Sequence, residues 1–329
     1  MASATFLLPA GTRFGAQKLS AAGAQALGRA DMAARGDEGR RAQLLRHVEL
    51  PCGTWPIAAM SRQLDAGDAS DAAWLRMEPA YLRPDINGVR LMAFGETLGL
   101  TQDDADALLP ALRPVFGDAG FVLDAPTPQR WYVRLAREAK IPAFADPGEA
   151  LGEDLFDHVD TSIAGQSPES RRWRALLSEV QVVLHNHPWA ATRVARGQLP
   201  VNALWPWGGG TLPDDRIDSR TWHDVVYSDD TVARALATGA ASVEPLPQRY
   251  PDGTGMRLID LDALRDLARF DADWLQPALA ALRRGDIAML WIDCGDGRSF
   301  NIGRWHRLRF WRRPRSRFVE PAARDDGAA

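Results

Sequence analysis

The sequence predicts an α/β protein with a layered core around a mostly parallel β-sheet and with an inserted α+β subdomain. Residues 222–246 have the pattern of a strand, a capped helix and a second strand, which together form a βαβ unit. Residues near 76–140 have the pattern β-α-β-β. The 329 residues suit one large domain or two modest ones, because a single hydrophobic core stops growing near roughly 250–300 residues. We expect the β-α-β-β unit to interrupt the layered core.

The N-terminal half begins with a short buried strand, TFLLPAG. An alanine-rich segment from Ser20 to Leu45 is predicted to be helical, with a break near Gly36. Val89–Phe94 is predicted to be a strand. Thr101 then caps a helix whose first turn is acidic, as the helix dipole favours. The segments GFVLDAP and RWYVRLA follow as two further strands.

The C-terminal half contains the clearest helical pattern of the chain. Ser167 caps this helix, Pro168 takes its first position, and it ends before Pro188. Beyond the βαβ unit, the spacing predicts helices over 260–269 and 272–284. The segments IAMLWIDC, RSFNIG and RWHRLRFW are predicted to be strands.

The segment 141–166 is rich in proline, glycine and aspartate and is the expected domain boundary. We expect an inserted α+β subdomain of ferredoxin-like type, with its linker, over 76–152. The core is then discontinuous, with residues 1–75 and 153–315. Residues 316–329 are predicted to be a flexible tail.

Composition excludes several function classes. The net charge of −4 provides no broad attraction to nucleic acid or to an anionic membrane. Cys52 and Cys294, the only cysteines, are too few for a disulfide framework and fit a reducing compartment. The N-terminus lacks a basic region and a long apolar run, so we expect a cytoplasmic protein without a membrane partner.

The richest polar stretch runs from His185 to Gly210. His185 and His187 have a spacing that suits two metal ligands, but the predicted helix end separates their rings and favours local hydrogen bonds. The WGGGT segment could cradle an anion, although a tight turn is favoured. No G-x-S-x-G motif supports a serine nucleophile. The sequence thus predicts no catalytic residue and no metal ligand.

Two arginine-rich segments are further candidates. Arg83 and Arg90 lie near Asp85 and Asn87, and they form either a phosphate or carboxylate clamp or a turn stapled by an Arg–Asp pair. The segment RWHRLRFWRRPRSR interleaves arginine with aromatic residues, as single-stranded nucleic-acid sites do. An edge strand protected by arginines is the favoured interpretation. The nucleic-acid alternative depends on Arg304, Arg307, Arg309 and Arg312.

Across nearly its whole length the chain resembles the RpfE-type regulatory proteins of plant-associated and related proteobacteria. The resemblance rests on the blocks RAQLLRHVELPCGTWPIAAMSRQLDAGD, AAWLRMEPAYLRPDINGVRL, LSEVQVVLHNHPWAATRVARG and RWHRLRFWRR. A regulatory role is what this resemblance implies.

More distantly, the chain resembles the archaeal-type cofactor-independent phosphoglycerate mutases of the alkaline phosphatase superfamily. The residues that match their pattern are His187-Pro188, Arg193, Gly197, Pro200-Val201-Asn202, Gly208 and Gly210. This resemblance implies an alkaline-phosphatase-like layered core. It also makes His187, Arg193 and Asn202 candidates for binding an anionic ligand.

The departures from the mutase pattern concern the chemistry. Those mutases use two divalent metals and a serine nucleophile, whereas here the first strand ends in FLLPAG, the last core strand ends in WIDCGDG, and the ligand segment DLDALRDLARFDADW lacks histidine. Losing most ligands of a two-metal site abolishes it. The leading hypothesis is a non-catalytic regulatory protein without a cofactor that binds a small anionic metabolite or a protein. The alternative is an active mutase or phosphatase that holds Mn or Zn through relocated ligands.

Overall fold

A computed structural model describes residues 2–50, 55–85, 88–152, 167–212 and 219–319. The chain divides into two compact units. We call Met1–Glu49 with Ser219–Ala329 the core unit, and Leu50–Asp218 the insert unit. Among the residues singled out in the sequence, Cys52 and Asn87 lie outside the described residues, as does most of the predicted linker.

The strands and helices are numbered in chain order over the described residues. The strands are β1 (Ser3–Leu8), β2 (Asp31–Met32), β3 (Ala73–Asp85), β4 (Gly88–Phe94), β5 (Val122–Asp124), β6 (Tyr132–Leu135), β7 (Ala203–Thr211), β8 (Val225–Tyr227), β9 (Ser242–Glu244), β10 (Met256–Asp260), β11 (Met289–Cys294) and β12 (Ser299–Gly303). The helices are α1 (Ala21–Arg29), α2 (Arg40–Leu45), α3 (Ile57–Ala66), α4 (Gln102–Asp118), α5 (Pro147–Ala150), α6 (Pro168–Asn186), α7 (Pro188–Ala195), α8 (Thr231–Leu236) and α9 (Gln276–Arg284).

The core unit contains a seven-stranded sheet of order β2-β12-β11-β1-β10-β8-β9. Strand β1 is parallel to both β10 and β11, and β8 is parallel to β10 and β9. Only β12 and β2 run antiparallel to their neighbours in this sheet. The predicted α/β class with a mixed, mostly parallel sheet is therefore confirmed, and so is the βαβ unit formed by β8, α8 and β9.

The insert unit contains an antiparallel sheet centred on the long strand β3. This strand pairs with β4, β6 and β7. Helices α4 and α6 pack together over buried residues such as Leu112 and Trp173. The predicted N-caps of both helices are present, because Thr101 accepts a hydrogen bond from Asp104 N–H and Ser167 accepts one from Ser170 N–H.

The insert unit is larger than the predicted subdomain of residues 76–152. Strand β7 pairs with β3, and α3 packs against β7, so both belong to the insert unit. The sequence predicts residues 50–75 and 167–212 to lie in the core, but they belong to the insert unit. The boundary is set instead by strand pairing between distant segments.

The glycine triplet lies within a strand, whereas the sequence predicts a tight turn there. Gly208, with φ +67°, belongs to β7. A Cβ atom added at Gly209 would lie 2.7 Å from Ile141 Cγ2, and one at Gly210 would lie 2.8 Å from Pro56 Cβ. The glycines therefore allow close packing against β7, and they form neither the predicted turn nor an anion nest.

The predicted helical segment 20–45 with a break near Gly36 is confirmed, because α1 and α2 are separated by a break that contains Gly36 and the short strand β2. Two other predicted elements of the core unit are wrong. In the predicted helix over 260–269, Asp260 ends β10 and the chain becomes helical only at Leu267. From there, one helical turn and a π-helical segment, Phe270–Leu275, lead into α9. The predicted strand RWHRLRFW begins as a 3₁₀ helix, Arg304–Leu308, and the loop that follows it is held by bonds from Arg309 to Asp31 and from Arg312 to Ala30 O.

Of the predicted tail 316–329, residues 320–329 lie outside the described residues. Phe318 is buried against Phe14, Phe270 and Phe300, so this residue belongs to the hydrophobic core. Within the described ranges, no helix is long and apolar enough to cross a membrane.

Candidate functional site

Arg193, a predicted ligand residue, is an internal ion-pair partner. Its Nη1 atom lies 2.6 Å from Asp104 Oδ2, and its other nitrogens donate to the carbonyl oxygens of Leu98 and Leu199. Burial alone would raise the pKa of Asp104, but hydrogen bonds from Thr101, Arg193 and Trp189 outweigh burial and lower it to about 2. The guanidinium therefore joins α7 to the start of α4.

Asn202 and His187 also bond to the backbone. The Asn202 side chain accepts from Leu82 N–H at 2.8 Å and donates to Leu82 O at 2.7 Å, which fixes it to β3. His187 Nδ1 accepts from Trp189 N–H at 3.2 Å and caps α7. The two residues thus position secondary structure in the insert unit.

The arginine pair at the β3–β4 end has the geometry of a staple. Arg90 Nε lies 2.5 Å from Asp85 Oδ2, and Arg90 Nη1 donates to Gly152 O. Arg83 is exposed and lies opposite Arg90 in the strand register. This end of the sheet is therefore held by the predicted Arg–Asp pair, with Arg83 beside it on the surface.

The carboxyl edge of the core sheet has the geometry expected of a ligand site. Ligands of open α/β sheets bind outside the carboxyl ends of parallel strands. Strand β10 ends at Asp260, β11 ends just after Asp293, and β1 ends between them at Leu8. Helix α2 supplies polar side chains to this edge, and Gln43 of α2 donates to the carbonyl oxygens of Leu8 and Asp293.

Arg40 of α2 neutralises the β10 end of this edge. Its Nη2 atom lies 2.5 Å from Asp260 Oδ2 and 3.7 Å from Asp230 Oδ1. Ser228 Oγ also donates to Asp260 Oδ2, at 2.7 Å. Burial alone would lower the pKa of Arg40, but the carboxylates of Asp260, Asp230 and Asp262 raise it. Arg40 is therefore a permanently charged cation among carboxylates.

Arg46 and His47 hold the β11 end. Arg46 donates through Nε and Nη2 to the two oxygens of Asp293, at 2.9 and 2.7 Å, and His47 Nε2 lies 2.7 Å from Asp293 Oδ2. Burial would raise the pKa of Asp293, yet the hydrogen bonds from His47 and Arg46 lower it. Both carboxylate oxygens are thus engaged by protein donors.

Burial shifts the pKa of two other groups at the core sheet, His223 and Cys294, in the direction that favours their neutral forms. His223 lies next to His47, with ring centroids 5.6 Å apart, and burial with the nearby His47 lowers its pKa to about 3. Burial raises the pKa of the free Cys294 thiol well above its ordinary value. In the part of the chain that the structure describes, no three His, Cys, Asp or Glu side chains converge as a metal site.

The insert unit contains a cavity of about 660 Å³ that the sequence does not predict. Arg62 of α3 lies in its wall, paired with Asp68 and Asp124 and stacked over Trp74 at 4.6 Å. We call this space the arginine cavity. Its lining residues are Arg62, Asp68, Trp74, Arg113, Phe121, Val122, Leu123, Asp124 and Arg134.

The wall of the arginine cavity contains more arginines than aspartates. Asp68 and Asp124 pair with Arg62, whereas the exposed Arg113 and Arg134 make no hydrogen bond or ion pair within the described ranges. Arg113 comes from α4 and Arg134 from β6, so only the folded chain brings them to one cavity. The hydrogen bond from Arg62 and also the charge of Arg134 lower the pKa of Asp68, so the three arginines and two aspartates of the wall leave one positive charge, which favours a bound anion there.

Some arginines of the segment after β12 bond to other residues of the core unit. Arg309 forms two bonds with Asp31, the longer at 3.1 Å between Nη2 and Oδ2, and Arg312 donates to Ala30 O at 2.6 Å. Arg304 lies over the Trp305 ring, and Arg307 is exposed. Of the four arginines in the nucleic-acid alternative, Arg304 and Arg307 are the two whose side chains do not bond to Asp31 or Ala30 O.

Comparison with known proteins gives a partial match. No protein-family model matches the chain. A probable 2,3-bisphosphoglycerate-independent phosphoglycerate mutase from Geobacter sulfurreducens is 26% identical over 162 residues, which cover 49% of this chain and 38% of that protein. The chain thus matches well under half the length of this relative.

Two solved structures are similar over most of the chain. The cofactor-independent phosphoglycerate mutase from Thermoplasma acidophilum has a TM-score of 0.39 and 14% identity, over 92% of this chain and 89% of that one. The PH0037 protein from Pyrococcus horikoshii has a TM-score of 0.48 and 13% identity, over 91% of this chain and 87% of that one.

Proposed function

We propose that this chain is a non-catalytic regulatory protein with a phosphoglycerate mutase-like α/β scaffold, and that it binds a small anionic metabolite in the arginine cavity. The observation that carries the proposal is the pairing of Arg40 with Asp260 and of Arg46 with Asp293 at the carboxyl edge of the core sheet. A regulatory role is also what the RpfE-type resemblance implies.

The donor chemistry of this edge does not fit a two-metal centre. Such a centre needs carboxylate and imidazole ligands around two ions about 3.5–4 Å apart. Here the Arg40 guanidinium contacts Oδ2 of Asp260. Arg46 and His47 together contact both oxygens of Asp293. A divalent ion would meet two fixed positive charges. No catalytic step through a metal follows from this arrangement.

The arginine cavity fits the ligand side of the proposal. Pockets for small molecules span about 300–1,000 Å³, and this cavity lies within that range. Guanidinium groups bind carboxylate and phosphate oxygens in bidentate fashion. Val122 and Leu123 add an apolar border. The ligand class is therefore a small phosphorylated or carboxylated organic acid.

Measuring the metal content of the purified chain tests the proposal that it is not a metal-dependent enzyme. We expect the purified chain, incubated with Mn²⁺ or Zn²⁺ and desalted, to retain far less than one ion per chain, measured by plasma mass spectrometry. We also expect no phosphoglycerate mutase turnover above a metal-free control. Stoichiometric metal together with Mn²⁺-dependent turnover that Asp293→Asn abolishes would establish the active-enzyme alternative instead.

Calorimetric titration with 3-phosphoglycerate and with inorganic phosphate tests the ligand part. We expect Arg113→Ala and Arg134→Ala each to weaken binding by about tenfold or more, because a hydrogen bond to a charged group contributes about 1.5–3 kcal/mol. Both side chains are exposed, so folding should be unchanged.

Arg171→Ala is the matched control for this titration, because Arg171 is also an exposed arginine of the insert unit. Its affinity for both anions should equal that of the parent chain. If the parent binds neither anion, or if all three variants bind equally well, the arginine cavity is not the ligand site.

A further inference from the structure

The segment from Arg304 to Arg313 displays large apolar side chains to solvent. Phe310 is 81% exposed, Trp311 68%, Trp305 64% and Leu308 55%. Single exposed apolar residues are ordinary, but adjoining ones mark interaction sites. We call this segment the display loop.

Internal bonds hold the display loop in this shape. Arg309 and Arg312 bind Asp31 and Ala30 O, and Arg29 Nη1 donates to Arg307 O at 3.0 Å. Beyond the loop, Arg315 N–H donates to Ala24 O. The loop is therefore fixed to α1 and β2 by its polar groups. Because these bonds fix the backbone, the apolar side chains stay outside the core.

A groove adjoins the display loop, between α1 and α9. Its floor is formed by Leu279, Leu282 and Ile302, and its volume is about 150 Å³. This is below the roughly 300 Å³ at which pockets begin to enclose small molecules, but one apolar side chain needs less space. The arginines that line the groove are Arg29, Arg283, Arg304 and Arg307.

From these features we infer that the display loop and the groove together bind an acidic amphipathic segment of a partner protein. Arginine and aromatic residues dominate the energetics of protein interfaces. None of the described residues that line the groove is Asp or Glu. A helix with one apolar anchor in the groove and with carboxylates toward the arginines complements both the shape and the charge.

The geometry of the aromatic side chains favours a protein over nucleic acid. Phe310 and Trp311 meet edge to face, with an interplanar angle of 83°, so they present no pair of parallel rings for successive bases. Leu308 offers no ring for stacking. Arg309 and Arg312 bind Asp31 and Ala30 O, which leaves fewer guanidinium groups for a phosphate backbone.

The test uses the full chain and a labelled synthetic helix in which leucine recurs at helical spacing between glutamates. Fluorescence anisotropy should detect binding that weakens as salt rises. We expect Phe310→Ala/Trp311→Ala to reduce affinity about thirtyfold, as for interface anchors, and Arg304→Glu/Arg307→Glu to abolish binding. A lysine version of the peptide should not bind the parent, because four arginines line the groove.

Arg249→Glu is the control variant, because Arg249 is an exposed arginine of the core unit that does not line the groove. Circular dichroism checks that all variants fold. Failure of the acidic peptide to bind, or affinity unchanged by the charge reversal, overturns the inference. So does preferential binding of single-stranded DNA or of phosphatidylserine vesicles, which would assign the loop to nucleic acid or lipid.

Discussion

Replacing Arg193 with methionine is expected to lower the free energy of unfolding of the insert unit by about 3–5 kcal/mol, the usual cost of removing one partner of a buried ion pair. The side chains of Arg193 and Asp104 are only 1% and 2% exposed. Without Arg193, the Asp104 carboxylate keeps only neutral donors from Thr101 and Trp189. Urea unfolding followed by circular dichroism measures the loss, and hydrogen exchange in α4 localises it.

The second variant in this test is Arg193→Met/Asp104→Asn. It removes both charges and keeps a polar cap at the start of α4, so we expect it to recover part of the lost stability. Arg171→Met, at an exposed position of the same unit, should leave stability within about 0.5 kcal/mol of the parent. Parental stability in Arg193→Met, combined with loss of phosphate binding, would make Arg193 a ligand clamp instead of a scaffold residue.

Local sequence signals predicted the helices with clear caps. Ser167 and Pro168 fix the start of α6, and His187 with Pro188 fixes its end, so the helix over 168–186 could be located from the sequence. Thr101 with Asp104 likewise determined the start of α4. In these cases the stabilising bond joins residues about three positions apart, which a single sequence displays.

Strand β7 could not be located in this way. Its sequence, ALWPWGGGT, contains proline and three glycines, which are typical of turns. The strand forms because β3, more than 120 residues earlier in the chain, supplies the backbone partner groups. Close packing of Pro56 and Ile141 explains the glycines. These contacts are non-local, so the extent of the insert unit, which depends on them, leaves no local signal in the sequence.

The candidate sites show the same limit. The mutase pattern marked the segments of Asp260 and Asp293 only as departures from a metal-ligand set, and it gave no signal for Arg40 and Arg46, whose partners lie 220 and 247 positions away. Arg113 and Arg134 gave no sequence signal either, because they come from a helix and a strand with no shared motif. By contrast, the segment after β12 could be recognised from the sequence, because its aromatic residues alternate with arginines.

Replacing Arg40 with methionine is the second substitution with a large expected effect. Asp260 is buried, and its carboxylate would keep only neutral donors, the Ser228 hydroxyl and the Asp262 N–H. We expect the free energy of unfolding of the core unit to fall by about 3–5 kcal/mol at neutral pH. Urea unfolding measures the loss, and Arg249→Met, at an exposed position, is the matched control.

The size of this defect should depend on pH. Burial, with the neighbouring Asp260, already raises the pKa of Asp262 above its ordinary value of 3.8, and Arg40 acts against that rise. A carboxyl whose folded pKa exceeds the unfolded one stabilises the fold only when protonated, so its cost grows as pH rises through that window. The Arg40→Met defect should therefore be largest near pH 7 and should shrink toward pH 4.

The double variant Arg40→Met/Asp260→Asn distinguishes a lost ion pair from lost packing. If uncompensated charge causes the defect, removing the second charge should restore much of the stability at pH 7 and should flatten the pH dependence. If the double variant is as unstable as the single one at every pH, Arg40 acts through its aliphatic stem. In that case the Arg40–Asp260 ion pair does not distinguish this edge from a metal centre.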